Sequence, residues 1–236
     1  MSRLRLGKTE VAFERLGLAG PVIVFESGLG EDMRRWEEVA RPLAACARIV
    51  LYDRPGIGCS GPRVGTRVLL AYTVVEQLAT LLHAIDARPP YILIGHSLGG
   101  FYMQAFARNR PQEVAGMVLI DSASPFEPPG AFGSTALPRP GSIAAVEEAG
   151  FAPSAAAMLA GPPFPPIPLI VLAATDHGVT PEREALWQDV QAQTAALSPK
   201  GRLAIVQGSG HFIQNDRPQV VIAAALKVIH EAGADR

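Results

Sequence analysis

Hydrophobic residues along this chain fall into short unbroken runs that alternate with stretches of helical spacing. The runs are Val22-Ile23-Val24-Phe25, Ile49-Val50-Leu51-Tyr52 after Arg48, Tyr91-Ile92-Leu93-Ile94, residues 114–120, residues 169–173, and Leu203-Ala204-Ile205-Val206 after Arg202. Runs this short, bounded by Gly, Pro or Asp, read as strands covered on both faces. Residues 9–15 alternate more loosely and read as an edge strand. Between the runs, apolar positions recur three or four residues apart. Trp36, Val39, Leu43 and Ala44 predict a helix over 33–44, and Val74, Leu78, Leu81, Leu82 and Ile85 predict a long one within 66–87. Val220, Val221, Ala224, Ala225 and Val228 mark the inner face of a C-terminal helix, with Asp216 as its cap. Strands alternating with helices and no internal repeat predict an α/β fold, a doubly wound, mostly parallel sheet with helices on both faces. Ligands of such sheets lie in a crevice beyond the carboxyl ends of the strands.

Candidate chemistry sits where the third of these runs ends. Gly95-His96-Ser97-Leu98-Gly99 joins a predicted strand to the apolar stretch 101–107, which reads as a helix. This is a G-x-S-x-G nucleophile elbow: a direct strand-to-helix turn holds the central Ser in a strained conformation with its hydroxyl exposed. Glycines two residues either side leave room where a Cβ would collide. Ser97 is therefore the candidate nucleophile. A serine hydroxyl needs a base, and histidine suits the task near neutral pH. His211 follows the last strand on a glycine-rich loop and is the candidate, with His177 as a rival and His96 expected to turn away around the elbow. His83 and His230 lie within predicted helices and stay outside the site. A buried carboxylate must orient the imidazole. Asp176 fits by position after the penultimate strand, with Asp121, at the end of the preceding strand, as the alternative.

GHSLGG after YILI resembles the α/β-hydrolase superfamily, and the stretch from Pro21 to the C-terminus can be laid on its pattern. The resemblance implies a triad in the chain order Ser, acid, His, here Ser97, Asp176 and His211, with some members carrying the acid at the position of Asp121. GSGHF around His211 is similar to the family's histidine loop. The resemblance also implies an oxyanion hole from the backbone amides of Leu29 and Leu98, although Ser27 stands where the family usually has His. Asp53, Gly56, Gly58 and Ser60 match a turn common in the family, which reads as architecture. Residues 124–168, rich in Pro, Gly and Ala, fall where the family inserts a cap, so one domain with a short cap is expected. Helical windows are expected around 142–150 and 154–160. Phe126, Phe132, Phe151, Met158 and Phe164 are the cap's large apolar residues, and either line a pocket or pack the cap down.

The resemblance implies a serine hydrolase without cofactor or metal, with a carboxylesterase as the default. Lactonase, thioesterase, amidase, carbon–carbon hydrolase and cofactor-free perhydrolase activities occur on the same triad. A receptor-like binding protein with little turnover is the alternative of another class. Bulk properties narrow the partners. A net charge of −1 over 236 residues gives no electrostatic reason to expect nucleic acid or an anionic membrane. The N-terminal stretch has no apolar core behind its basic residues, and no unbroken apolar run approaches the ~18 residues of a membrane span. Cys46 and Cys59 have no metal or redox spacing. A soluble cytoplasmic enzyme acting on a small molecule is the expectation.

Overall fold

The computed structural model describes residues 1–65, 68–132 and 138–234. Eight strands form one sheet in the order β1-β2-β4-β3-β5-β6-β7-β8. They are β1 (Ser2–Leu6), β2 (Thr9–Leu16), β3 (Val22–Glu26), β4 (Arg48–Tyr52), β5 (Tyr91–His96), β6 (Val114–Ile120), β7 (Leu169–Ala174) and β8 (Gly201–Val206). β2 pairs antiparallel with β1 and β4, and the six strands from β4 to β8 run parallel. The doubly wound sheet read from the sequence is therefore the architecture found. The edge differs: β2 is covered by β1, whose alternating Arg3, Leu4, Arg5, Leu6 pair with it as a hairpin.

Alternate residues of the inner parallel strands β3 to β7 feed two separate cores, whereas β8, at the sheet edge, is exposed at Arg202, Ala204 and Ile205 and is not covered on both faces as its apolar run predicts. Val24, Val50, Leu93, Leu119 and Val171 face α2 (Ala71–Ala84) and α3 (Leu98–Asn109). Ile23, Ile49, Ile94, Val118 and Ile170 face α1 (Glu37–Leu43) and α7 (Pro218–Ala234). A side chain such as Phe101, wholly buried in the first core, contributes roughly 1.5–3 kcal/mol by leaving water. α5 (Pro181–Ala195) packs on β7 and β8, and the single turn α6 (Ile213–Asp216) precedes α7.

Three elements differ from their expected form. α2 starts only at Ala71, because Leu70 is extended; Thr66 and Arg67 lie outside the described residues. The two expected cap windows are one helix, α4 (Ile143–Ala160), which runs through Pro153. By length and composition α4 is apolar enough to cross a membrane. Here it is docked on the body, with Gly150 against the Leu69 backbone, where a Cβ would lie 1.8 Å from the carbonyl oxygen. Asp216 does not cap α7; its Oδ2 accepts from the Gly210 amide at 2.9 Å and from Ser209 Oγ at 3.1 Å, holding the loop that carries His211.

Candidate active site

The elbow has the strain its sequence requires. Ser97 sits at φ 51°, ψ −124°, a region that L residues rarely enter and that costs of order 1–3 kcal/mol. A Cβ on Gly95 would stand 2.6 Å from the Gly100 Cα, and one on Gly99 2.3 Å from the Glu26 carbonyl oxygen. The bend is thus packed against both its own helix and β3. The pairing of β5 with β6 sets His96 opposite Ile120, so Ser97 and Asp121 emerge side by side. Ser97 N–H donates to Ile120 O at 3.1 Å, and the Ala123 amide donates to Ser97 O at 3.0 Å, stitching the two strand ends together.

His211 reaches this point from the loop after β8. Its Nδ1 lies 2.6 Å from Asp121 Oδ2, and it lines one cavity with Ser97. This corrects the assignment of the acid from position: Asp176 is exposed, and it is anchored to the His loop through its backbone amide, which donates to Ser209 O at 3.1 Å. The alternative, Asp121, is the carboxylate brought to His211. It is fully buried and fixed by four contacts. Oδ1 accepts from the Trp187 indole at 2.8 Å and the Ala174 amide at 2.9 Å, while Oδ2 is shared by His211 and by His177 Nε2 at 2.6 Å. Burial opposes ionisation of Asp121, but the hydrogen bonds from His177 and His211 outweigh it and hold the carboxyl well below the usual range. His177 is bonded on its other side to Glu184 at 2.9 Å. Burial disfavours its charged form, yet the bonds and charges of Asp121 and Glu184 push its pKa up to about 9.

His96 does not turn wholly away. Its buried ring lies 4.6 Å from that of His211, with Nε2 3.0 Å from His211 O and Nδ1 3.2 Å from Glu31. Burial lowers its pKa against the pull of Glu31, and the ring supports the His211 backbone from below. Asp121, His177 and His211 make a donor set of the kind that binds metals. Their 2.6 Å contacts are those of shared protons, closer than ligands around one ion of ~2 Å bond length normally stand.

The loop after β3 completes the setting. Gly28 N–H is taken by Glu31 Oε2 at 3.1 Å, Gly30 N–H by Glu147 Oε2 at 2.9 Å, and the Glu31 amide by Gly28 O at 3.2 Å. Among the described residues, the amides of Leu29 and, across the site, Leu98 have no such partner. Ser27, in the place of the family's usual histidine, accepts from the Trp36 indole at 3.0 Å and donates to Asp32 O at 3.1 Å. Asp53 is architectural, as read: it accepts from the amides of Met33 and Cys59.

Two cavities meet at Ser97 and Leu29. One, of about 500 Å³, has mixed walls, with Glu31, His177, Arg183 and His211 beside Phe132, Trp187 and Phe212. The other, of about 540 Å³, lies under the cap and is mostly apolar, with Leu98, Phe151, Ala155 and Leu159 beside Glu127 and Glu148. Burial pushes the Glu127 carboxyl up to about 7 against a single bond from the Ser124 amide. The cap's large residues divide accordingly: Phe132 and Phe151 line the cavities, while Met158 and Phe164 pack into the core.

With this fold and constellation, the chain belongs to the alpha/beta hydrolase fold family, whose model matches residues 21–143, more than half of its 236 residues. It is 29% identical over 231 residues to the uncharacterized protein YqjL of Bacillus subtilis, covering 91% of this chain and 85% of that one. It is 33% identical over 116 residues to the pimeloyl-[acyl-carrier protein] methyl ester esterase of Aeromonas salmonicida, covering 49% of this chain and 43% of the esterase. Among solved structures, a thermophilic esterase from Thermogutta terrifontis superposes with a TM-score of 0.79 at 20% identity, over 98% of this chain and 99% of the other.

Proposed function

We propose that this chain is a serine hydrolase, a carboxylesterase that cleaves small to medium uncharged esters through an acyl-enzyme on Ser97. What carries the reading is the meeting, in one cavity, of a strained Ser97 with a His211 whose far nitrogen is held by a buried Asp121. In the first step His211 accepts the Ser97 proton as Oγ attacks the ester carbon, and the carbonyl oxygen becomes an oxyanion between the Leu29 and Leu98 amides. Donors aimed at that charge are worth ~3 kcal/mol each. His211 then gives its proton to the departing alcohol. Water, deprotonated by the same imidazole, releases the acid and restores Ser97. Asp121 stays ionised throughout and holds the imidazolium.

The cavity under the cap suits the acyl group. It is apolar, its two ionisable groups are carboxyls, and no Lys, Arg or His lines it among the described residues, so acyl chains ending in a carboxylate are disfavoured. The esterase names of the Aeromonas relative and the Thermogutta structure support ester cleavage. Intact mass after exposure to a fluorophosphonate is expected to show one adduct on the native protein and none on Ser97→Ala. A folded native protein that takes up no label would overturn the mechanism and favour a binding role.

A further inference from the structure

The loop bearing Leu29 is held from a place the reaction itself does not require. Arg54, 2% exposed, lies beneath it and spends its guanidinium on four oxygens: Glu147 Oε1 at 2.7 Å, Glu26 Oε1 at 2.6 Å, and the carbonyls of Ser27 at 2.7 Å and Gly28 at 2.6 Å. Glu147, 1% exposed, belongs to α4 of the cap, and its second oxygen takes the Gly30 amide at 2.9 Å. One cap carboxylate therefore grips the loop twice, directly at Gly30 and through Arg54 at the two carbonyls that precede Leu29. Tyr52 bonds Glu26 on its other side, and the Arg54 guanidinium stands 5.5 Å from the Tyr102 ring, so the cluster is enclosed.

Such an arrangement is costly as a mere fastener. A buried ion pair seldom stabilises a fold more than apolar side chains of the same volume, whereas it fixes direction. Here the direction fixed is that of four consecutive peptide groups. With the carbonyls of Ser27 and Gly28 turned to Arg54, and the amides of Gly28, Gly30 and Glu31 each committed, the Leu29 amide is the donor left for an oxyanion.

We infer that the cap is a working part of the oxyanion hole: Glu147 and Arg54 are positioning residues that set the Leu29 donor, so cap and catalytic loop act as one unit. The inference rests on the esterase reading, and the two fail differently. Labelling of native protein but not of Ser97→Ala tests the reading alone. Glu147→Gln and Arg54→Lys test the coupling; each keeps the size of the group and removes, respectively, the charge or the planar fork. After titration of active sites with a fluorophosphonate, both variants are expected to lose about 10-fold or more in kcat on p-nitrophenyl butyrate, approaching the loss of a whole oxyanion donor, with KM within about threefold. The rate of phosphonylation should fall in parallel. Titrated kcat within about twofold of native in both variants, whatever their melting temperature, would reduce the cluster to a structural brace and overturn the inference. Native protein supplies a second readout that needs no folded variant. Hydrogen exchange should slow together in the 27–31 loop and around Glu147 when Ser97 is phosphonylated, and slowing confined to the loop would count against the coupling.

Discussion

At the scale of the residue, the decisive side chain is Asp121. It stands at φ 42°, a backbone region where Asp is tolerated better than most residues, which brings its carboxylate under His211 and against the Trp187 indole. Asp121→Asn is expected to lower kcat about ten-thousandfold, because an amide presents a donor to the wrong imidazole tautomer. Asp176→Asn, on an exposed position, should stay within about twofold. A large loss for Asp176→Asn with little for Asp121→Asn in steady-state assays would reverse the assignment. Ser97 and His211 stand out in the sequence because each is marked by its own local glycines, and the fold brings them to one cavity. The acid was not legible in that way. Both aspartates follow strands, and only the assembled loops show that it is Asp121 whose Oδ2 meets both His177 and His211. His177 also has a consequence for stability. Its pKa is raised from 6.5 to about 9 in the folded chain, so its contribution is complete below pH 6.5 and is lost as pH rises through 9. Asp121 works in the opposite sense: its depressed pKa contributes above the ordinary carboxylate range and is lost in acid. Between pH 6.5 and 9.5 the melting temperature of native protein should therefore fall more than that of His177→Gln. Parallel curves would show that His177 carries no extra proton in the fold.

At the scale of the element, the inner parallel strands β3, β5 and β7 declared themselves because both faces of each are buried, so apolar residues run without a break. β1 did not, since a five-residue edge strand that alternates Arg with Leu looks like any polar terminus until β2 is there to pair with it. The cap helix shows the reverse. Pro153 removes one backbone donor, which reads as a break, yet the helix continues: before it, Val146 O accepts the Leu69 amide at 3.0 Å, and after it, Ser154 Oγ accepts the Ala71 amide at 2.9 Å and Met158 enters the core. Tertiary contacts on both halves outweigh the lost bond. Gly150 belongs to the same docking: no larger residue fits between α4 and the Leu69 backbone, so a glycine that weakens the helix locally is what lets Glu147 reach Arg54.

At the scale of the whole molecule, order in the sheet does the assembling. Residues 24, 95, 119 and 171 are far apart in the chain but lie on four neighbouring strands, and each strand end delivers one part of the site to the same edge. The resemblance read from GHSLGG extended to the mostly parallel sheet with helices on both faces. It did not extend to the grip of the cap on the loop after β3, because Glu26, Arg54 and Glu147 carry no local signature and meet only when β3, β4 and α4 are in place. The two cavities that join at Ser97 have a last consequence, for traffic. If the acyl group rests under the cap and the alcohol departs through the cavity beside His211, then the acylated protein has an open doorway facing solvent, and any small alcohol can enter it in place of water. Supplied with ethanol, the protein should make ethyl butyrate beside butyrate, in a ratio that is the same for phenyl and p-nitrophenyl butyrate because both donors have already left. A ratio that changes with the donor would mean that the first product is still in the doorway when the acceptor arrives.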